Sequence, residues 1–206
     1  MNNQCKKPSG WLGRWMLRNM NARHSRLTDW GLGHISVGAR ETILDVGCGG
    51  GRTVSKLAAM AQEGKVYGVD HSEDSVATSR KTNAGPIDDG RAEIMQGSVS
   101  QLPFPDGMFD RVTAVETHFF WPNLHHDVRE VWRVLKPGGT AIMIAEIYKG
   151  APTAVSKLAE KFSSKSGMTL LTVDEHRELL ENAGFRDVRV TVEASKGWIC
   201  ATGQKP

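Results

Sequence analysis

The chain has 206 residues, 39% of them hydrophobic and 24% charged, with a formal net charge of +3. This composition fits a folded globular protein and excludes a disordered tail, a collagen-like fibre and a disulfide scaffold. The longest purely apolar run, 141–145, is far too short to span a bilayer, and no secretory signal is read at the N-terminus.

Residues 1–40 carry seven Lys/Arg against one acid, Asp29, whereas the rest of the chain is mildly acidic. The basic stretch reads as a helical arm from about Trp11, with Leu12, Trp15, Met16, Met20 and Leu27 at helical spacing. Gly31 and Gly33 predict a break in it. Such an arm suits nucleic acid, an anionic membrane surface or an acidic ligand, and a solvated helix face accounts for it equally well. Cys5, Cys48 and Cys200 are scattered and no CxxC occurs. That spacing points to reduced thiols in a cytoplasmic protein and to no structural zinc site.

From residue 41 the pattern alternates strand and helix. Strands are expected at 42–46, 65–69, 92–95, 109–115 and 140–145. Helices are expected at 53–61, from Ser72, at 124–135, at 154–162 and at 174–182. Pro137 and Gly138-Gly139 stop the helix that ends near 135, and Pro103, Pro105 and Asp106-Gly107 mark a turn-rich loop. The runs 185–192 and 198–202 form a closing hairpin. Repeated β-α units predict a doubly wound, mostly parallel α/β sheet with an added antiparallel strand. Ligands of such sheets bind at the carboxyl ends of the strands, beside the switch point. The glycine turn, Asp70, Ser98 and Glu116 therefore surround one crevice.

The strongest motif is Ile43-Leu-Asp-Val-Gly-Cys-Gly-Gly-Gly51, a glycine turn between a strand and a helix. Glycines let the backbone approach a ligand closely, and amides at a helix N-terminus meet its polar groups. Asp70 ends the second strand 19 residues after Gly51, where an acid accepts both hydroxyls of a ribose. The dinucleotide fingerprint needs a third glycine at position 52, which is Arg52. The G-x-G-x-G spacing, with Asp45 two residues ahead, matches S-adenosylmethionine better than NAD.

Four stretches carry a family resemblance: Ile43–Gly51, Val66-Tyr-Gly-Val-Asp70-His-Ser, Gly97–Val112 and Glu130-Val-Trp-Arg-Val-Leu-Lys-Pro-Gly-Gly139. With them the chain resembles class I S-adenosylmethionine-dependent methyltransferases, especially the small-molecule type that includes ubiquinone/menaquinone-biosynthesis enzymes. The resemblance implies a seven-stranded sheet of order 3-2-1-4-5-7-6. It places Gly47, Cys48, Gly49 and Gly51 along the methionine part of the cofactor, with Asp45 supporting its amine. Asp70, with His71 beside it, holds the ribose, and Gly97, Ser98 and Val99 flank the adenine. Glu116 faces the methionine part and the substrate. The segment Glu116-Thr-His-Phe-Phe-Trp-Pro122 departs from relatives, which often show a histidine pair before the proline, and this departure reads as substrate specialisation.

In-line methyl transfer draws most of its rate from positioning and desolvation, so a base is needed only where the nucleophile must lose a proton. His24, Glu116 and His118 are the candidate catalytic residues, and Met20, His24, His118 and Trp121 the candidate substrate contacts. His24 shares a helical stripe with Met16 and Met20, either on a lid over the crevice or in ordinary packing. Trp121 either walls the pocket or packs beneath the loop. No metal is expected, because the spacing of His24, Glu116 and His118 is irregular. The expected division is a basic helical arm, 1–40, before a methyltransferase domain, 41–206. The expected activity is methyl transfer from S-adenosylmethionine to a small molecule. Two alternatives stay open: an RNA methyltransferase using the arm, and a non-catalytic S-adenosylmethionine binder. Nucleic acid is the less favoured partner, because no nucleic-acid methyltransferase motif follows the fourth strand. Oligomeric state is open.

Overall fold

The structure is a computed structural model and describes residues 25–206. Met20 and His24 lie outside the described residues, as does most of the basic arm. The elements in chain order are α1 (Ser25–Leu32), β1 (Thr42–Val46), α2 (Arg52–Met60), β2 (Lys65–Asp70), α3 (Glu73–Thr82), α4 (Ala84–Asp88) and β3 (Ala92–Gln96). They continue as β4 (Phe109–Val115), a 3-10 turn (His118–Phe120), α5 (Leu124–Val134), β5 (Leu135–Ala145), α6 (Ala154–Ser166), α7 (Val173–Asn182), β6 (Arg186–Glu193) and β7 (Trp198–Gln204).

The seven strands form one sheet in the order β3-β2-β1-β4-β5-β7-β6, as the resemblance implied. β1 runs parallel to both β2 and β4, and β7 is antiparallel to β5 and β6. The chain leaves β1 toward β2 and β3 on one side and returns to β4 on the other, so the switch point lies at the carboxyl end of β1.

Period-two alternation divides the core between the sheet's faces. In β5, Ala141 and Met143 point to one face with Val128 and Val131 of α5 and Leu179 and Leu180 of α7. Ile142 and Ile144 point to the other, with Leu27 and Leu32 of α1 and Val54 and Leu57 of α2. α1 ends at Leu32, between the two glycines at which a break is expected. A β-carbon on Gly31 would overlap the side chain of Ile144, so this glycine also lets the helix pack tightly on β5.

Local chemistry sets the helix ends. Ser72 caps α3 by accepting from the amide of Ser75, with Glu73 and Asp74 in the first turn and Arg80 and Lys81 in the last. Thr172 and Glu175 form a capping box at the start of α7. α5 ends at Val134, and the chain enters β5 directly at Leu135. The sequence pattern did not reveal the 3-10 turn or the short α4, which contains Pro86. Among the described residues, no helix is long and apolar enough to cross a membrane.

Candidate functional site

The loop after β1 turns on three glycines with left-handed backbones: Gly47 at φ 74°, Gly49 at 50° and Gly51 at 82°. An L side chain is strained in this region, and space is short as well. A β-carbon on Gly47 would overlap Thr117, and one on Gly51 would overlap the Asn83 side chain. The amides of Gly47 and Cys48 both donate to the carbonyl of Val69, at 2.7 and 3.0 Å. The turn is thus clamped to the end of β2.

Asp70 sits at that end and is buried. Its Oδ2 accepts from the amide of Gly49 at 2.9 Å, and its Oδ1 from the amide of Ser72 at 2.9 Å. The carboxylate therefore joins the glycine turn to the N-cap of α3. His71 is half-exposed, with Nδ1 3.6 Å from Oδ1 of Asp70. The amide of Gly97 donates to the Asp70 carbonyl, which brings the loop after β3 to the same place. Ser98 is exposed there, and Val99 is buried in the core cluster that also holds Trp121.

Asp45 is 2% exposed, in register with Thr113 of β4, whose hydroxyl donates to Oδ1 at 2.7 Å. Burial pushes its pKa up to about 7; the Thr113 hydrogen bond opposes the rise and the negative charge of Asp70 adds to it. Burial also raises the Cys48 thiol well above its ordinary range, with Asp70 and Asp45 contributing. Among the described residues, no Lys or Arg forms an ion pair with Asp45 or Asp70. Two buried acids without a cationic side chain, beside a strip of bare backbone, suit a ligand with a positive charge, a ribose and a close approach. S-adenosylmethionine has all three features, so the residues present fit it.

The segment after β4 forms the other wall. Glu116 has a left-handed backbone, φ 59°, which is uncommon for a residue with a side chain. Its Oε1 accepts the amide of Glu146 and its own amide donates to Ile144 O, so it laces the ends of β4 and β5 together. Thr117 stands over Gly47 and accepts a hydrogen bond from Nε1 of Trp121 at 3.3 Å. Trp121 is 7% exposed and packs within the core cluster of Leu102 and Leu124. His118 is 2% exposed, and its Nε2 lies 3.2 Å from Nε2 of His176 on α7. Burial lowers its pKa well below the ordinary value, and His176 adds to the effect.

Of the expected site residues, Asp45, Gly47, Cys48, Gly49, Asp70, His71 and Gly97 come together at the carboxyl ends of β1, β2 and β3. Glu116 and His118 come from the end of β4. Thr117, Asn83 and His176 belong to the same construction and were missed. Thr117 was legible as the neighbour of Glu116. Asn83 and His176 carry no local signal, because only folding brings them near.

Comparison with known proteins agrees with this geometry. A family model described as a methyltransferase domain matches residues 44–143. The chain is 30% identical over 163 residues to the 27-O-demethylrifamycin SV methyltransferase of Amycolatopsis mediterranei, an alignment spanning 78% of this chain and 60% of that protein. It is 25% identical over 189 residues to the uncharacterized methyltransferase YdaC of Bacillus subtilis, covering 91% of this chain and 96% of that one. The fold also matches a chain of the complex of the Haloferax volcanii Trm112 methyltransferase activator: TM-score 0.80, 22% identity, 95% of this chain and 96% of that one. A SAM-dependent methyltransferase from Thermotoga maritima aligns at TM-score 0.73 and 18% identity, again over 95% and 96% of the two chains. The chain belongs to the class I S-adenosylmethionine-dependent methyltransferases.

Proposed function

We propose that the protein transfers a methyl group from S-adenosylmethionine to a small-molecule acceptor. The observation that carries this is the join between Gly49 and Asp70. It holds a carboxylate and three left-handed glycines in one cradle at the switch point. In this reading Gly47, Gly49 and Gly51 line the methionine part, and Asp45 faces its ammonium. Asp70 holds the ribose with its remaining lone pairs, and Gly97, Ser98 and Val99 flank the adenine. When bound, S-adenosylmethionine supplies the methyl carbon, and the electrons of the broken S–C bond stay on sulfur.

The chain's own part is to fix the acceptor in line and keep water out. Glu116 holds the ends of β4 and β5 together, and in this reading His118 takes a proton from the acceptor. The relative named for methylating 27-O-demethylrifamycin SV supports an acceptor of that size, and the O-methyltransferase cnsE of Penicillium expansum supports an oxygen acceptor. The test is calorimetry with S-adenosylhomocysteine on the full chain. Saturable one-to-one binding, lost in Asp70→Ala, is the expected result. No heat at millimolar ligand would overturn the reading.

A further inference from the structure

The His118–His176 contact determines where the protons are. Nδ1 of His176 lies 2.7 Å from the carbonyl oxygen of Thr172. A carbonyl only accepts, so Nδ1 of His176 carries the hydrogen. Burial holds His176 below its ordinary pKa and His118 further below. Both rings are therefore neutral, and Nε2 of His176 is a bare lone pair. The 3.2 Å contact then requires the hydrogen on Nε2 of His118. Nδ1 of His118 is left as a second bare lone pair, buried and without a hydrogen-bond partner among the described residues.

The anchor beneath this pair is rigid. Thr172 is the N-cap of α7: its hydroxyl accepts from the amide of Glu175 at 3.1 Å and its amide donates to Glu175 Oε2 at 2.7 Å. Phe119 packs edge-on against the His118 ring, with centroids 5.4 Å apart, and its carbonyl accepts from the amide of Thr169. His118 follows directly on Thr117, the residue that stands over Gly47. A buried polar atom left unpaired carries a desolvation cost, which a hydrogen bond from a ligand would offset.

We propose that His176 is a positioning residue that locks His118 in its Nε2–H tautomer, so that Nδ1 of His118 accepts the proton of a hydroxyl acceptor, a phenol or enol. This rests on the methyltransferase reading for its substrate half only. In the transfer the acceptor's O–H bond breaks. Its electron pair stays on the oxygen that takes the methyl group, and the proton passes to Nδ1. The buried ring holds that proton weakly, so it is returned to solvent after the product forms.

The test is long-range nitrogen–proton NMR on imidazole-labelled protein, first without ligand. The expected spectrum shows His118 as a single Nε2–H tautomer. His176→Ala should give a mixture of tautomers, and His176→Gln, whose amide oxygen accepts the same hydrogen, should restore the single form. A His118 Nδ1–H tautomer, or a spectrum unchanged in His176→Ala, overturns the lock. If His176→Ala unfolds, the tautomer in the wild-type spectrum decides alone. Phenol is then titrated into the complex with S-adenosylhomocysteine. A shift confined to Nδ1 of His118 is expected, with none from benzene. No shift with phenol overturns the hydroxyl-acceptor half. Failure of S-adenosylhomocysteine to bind would instead remove the methyltransferase reading and leave the lock standing.

Discussion

The side-chain amide of Asn83 donates to the carbonyl oxygens of both Gly51 and Ser79, each at 2.9 Å. One residue at the C-terminal end of α3 thus holds the last glycine of the turn after β1, 32 positions earlier in the chain. Asn83 is fully buried, so Asn83→Ala removes both of these bonds from a dry site, while the Gly51 carbonyl keeps the amide of Ser55. The expected loss is about 1–3 kcal/mol of stability, with weaker S-adenosylhomocysteine binding. Denaturant unfolding and calorimetry on the same preparation measure both.

Gly47→Ala meets two obstacles: a left-handed backbone and overlap with Thr117. The backbone part alone costs about 1–2 kcal/mol. Binding of S-adenosylhomocysteine should fall more than tenfold. The double variant Gly47→Ala/Thr117→Ala relieves the overlap but not the backbone, so it should recover part of the loss. Full recovery would show that the left-handed conformation is not needed.

Asp45 has a pKa of about 7 through burial, so it is near half-protonated at neutral pH. A ligand ammonium placed beside it favours the charged form. S-adenosylhomocysteine binding at pH 7 should therefore release about half a proton from Asp45. Calorimetry in two buffers of different ionisation enthalpy reads this directly, and Asp45→Asn should abolish it. The raised pKa also makes neutral Asp45 the stabilising form. Its contribution is complete below the ordinary carboxylate range and is lost as pH rises through about 7.

The histidine pair has the opposite sign. Both pKa values are lowered in the folded state, so the unfolded chain binds these protons more readily. Stability is expected to fall as pH drops below about 6.5, the ordinary histidine value. In His176→Gln that fall should be shallower, because one buried imidazole is gone. Urea midpoints from pH 8 to pH 5 provide the comparison.

Lys205 is buried near the end of the chain, with Nζ 2.9 Å from Trp132 O, 2.7 Å from Leu135 O and 3.9 Å from the centre of the Trp132 ring. It satisfies carbonyls where α5 gives way to β5. Lys205→Met keeps the aliphatic stem and removes the charge. A loss of about 1–3 kcal/mol is expected, read as a lower unfolding midpoint with cofactor affinity unchanged.

The order of strands and helices was legible because each element has its own period and end signals. The apolar run 141–145 reads as a strand, and 174–182 reads as a helix. The glycine turn and the acid that clamps it were equally legible, because they are built within one βα unit and the end of the next strand. Other assignments needed the fold. Gly31 marks the helix end in sequence, and only the fold shows its packing role, because Ile144 lies against it. Glu116 reads as an acid facing cofactor and substrate, and in space its carboxylate accepts the amide of Glu146, just past the end of β5.

Short-range geometry is written in the residue pattern: a glycine turn, an acid at the end of the next strand, and an alternating α/β chain. Which distant groups share a dry environment follows from the packed fold alone. Asn83 with Gly51, Asp45 with Thr113 and His118 with His176 are pairs separated by tens of residues. Their protonation states and hydrogen bonds depend on burial, and burial exists only once the sheet has brought them together.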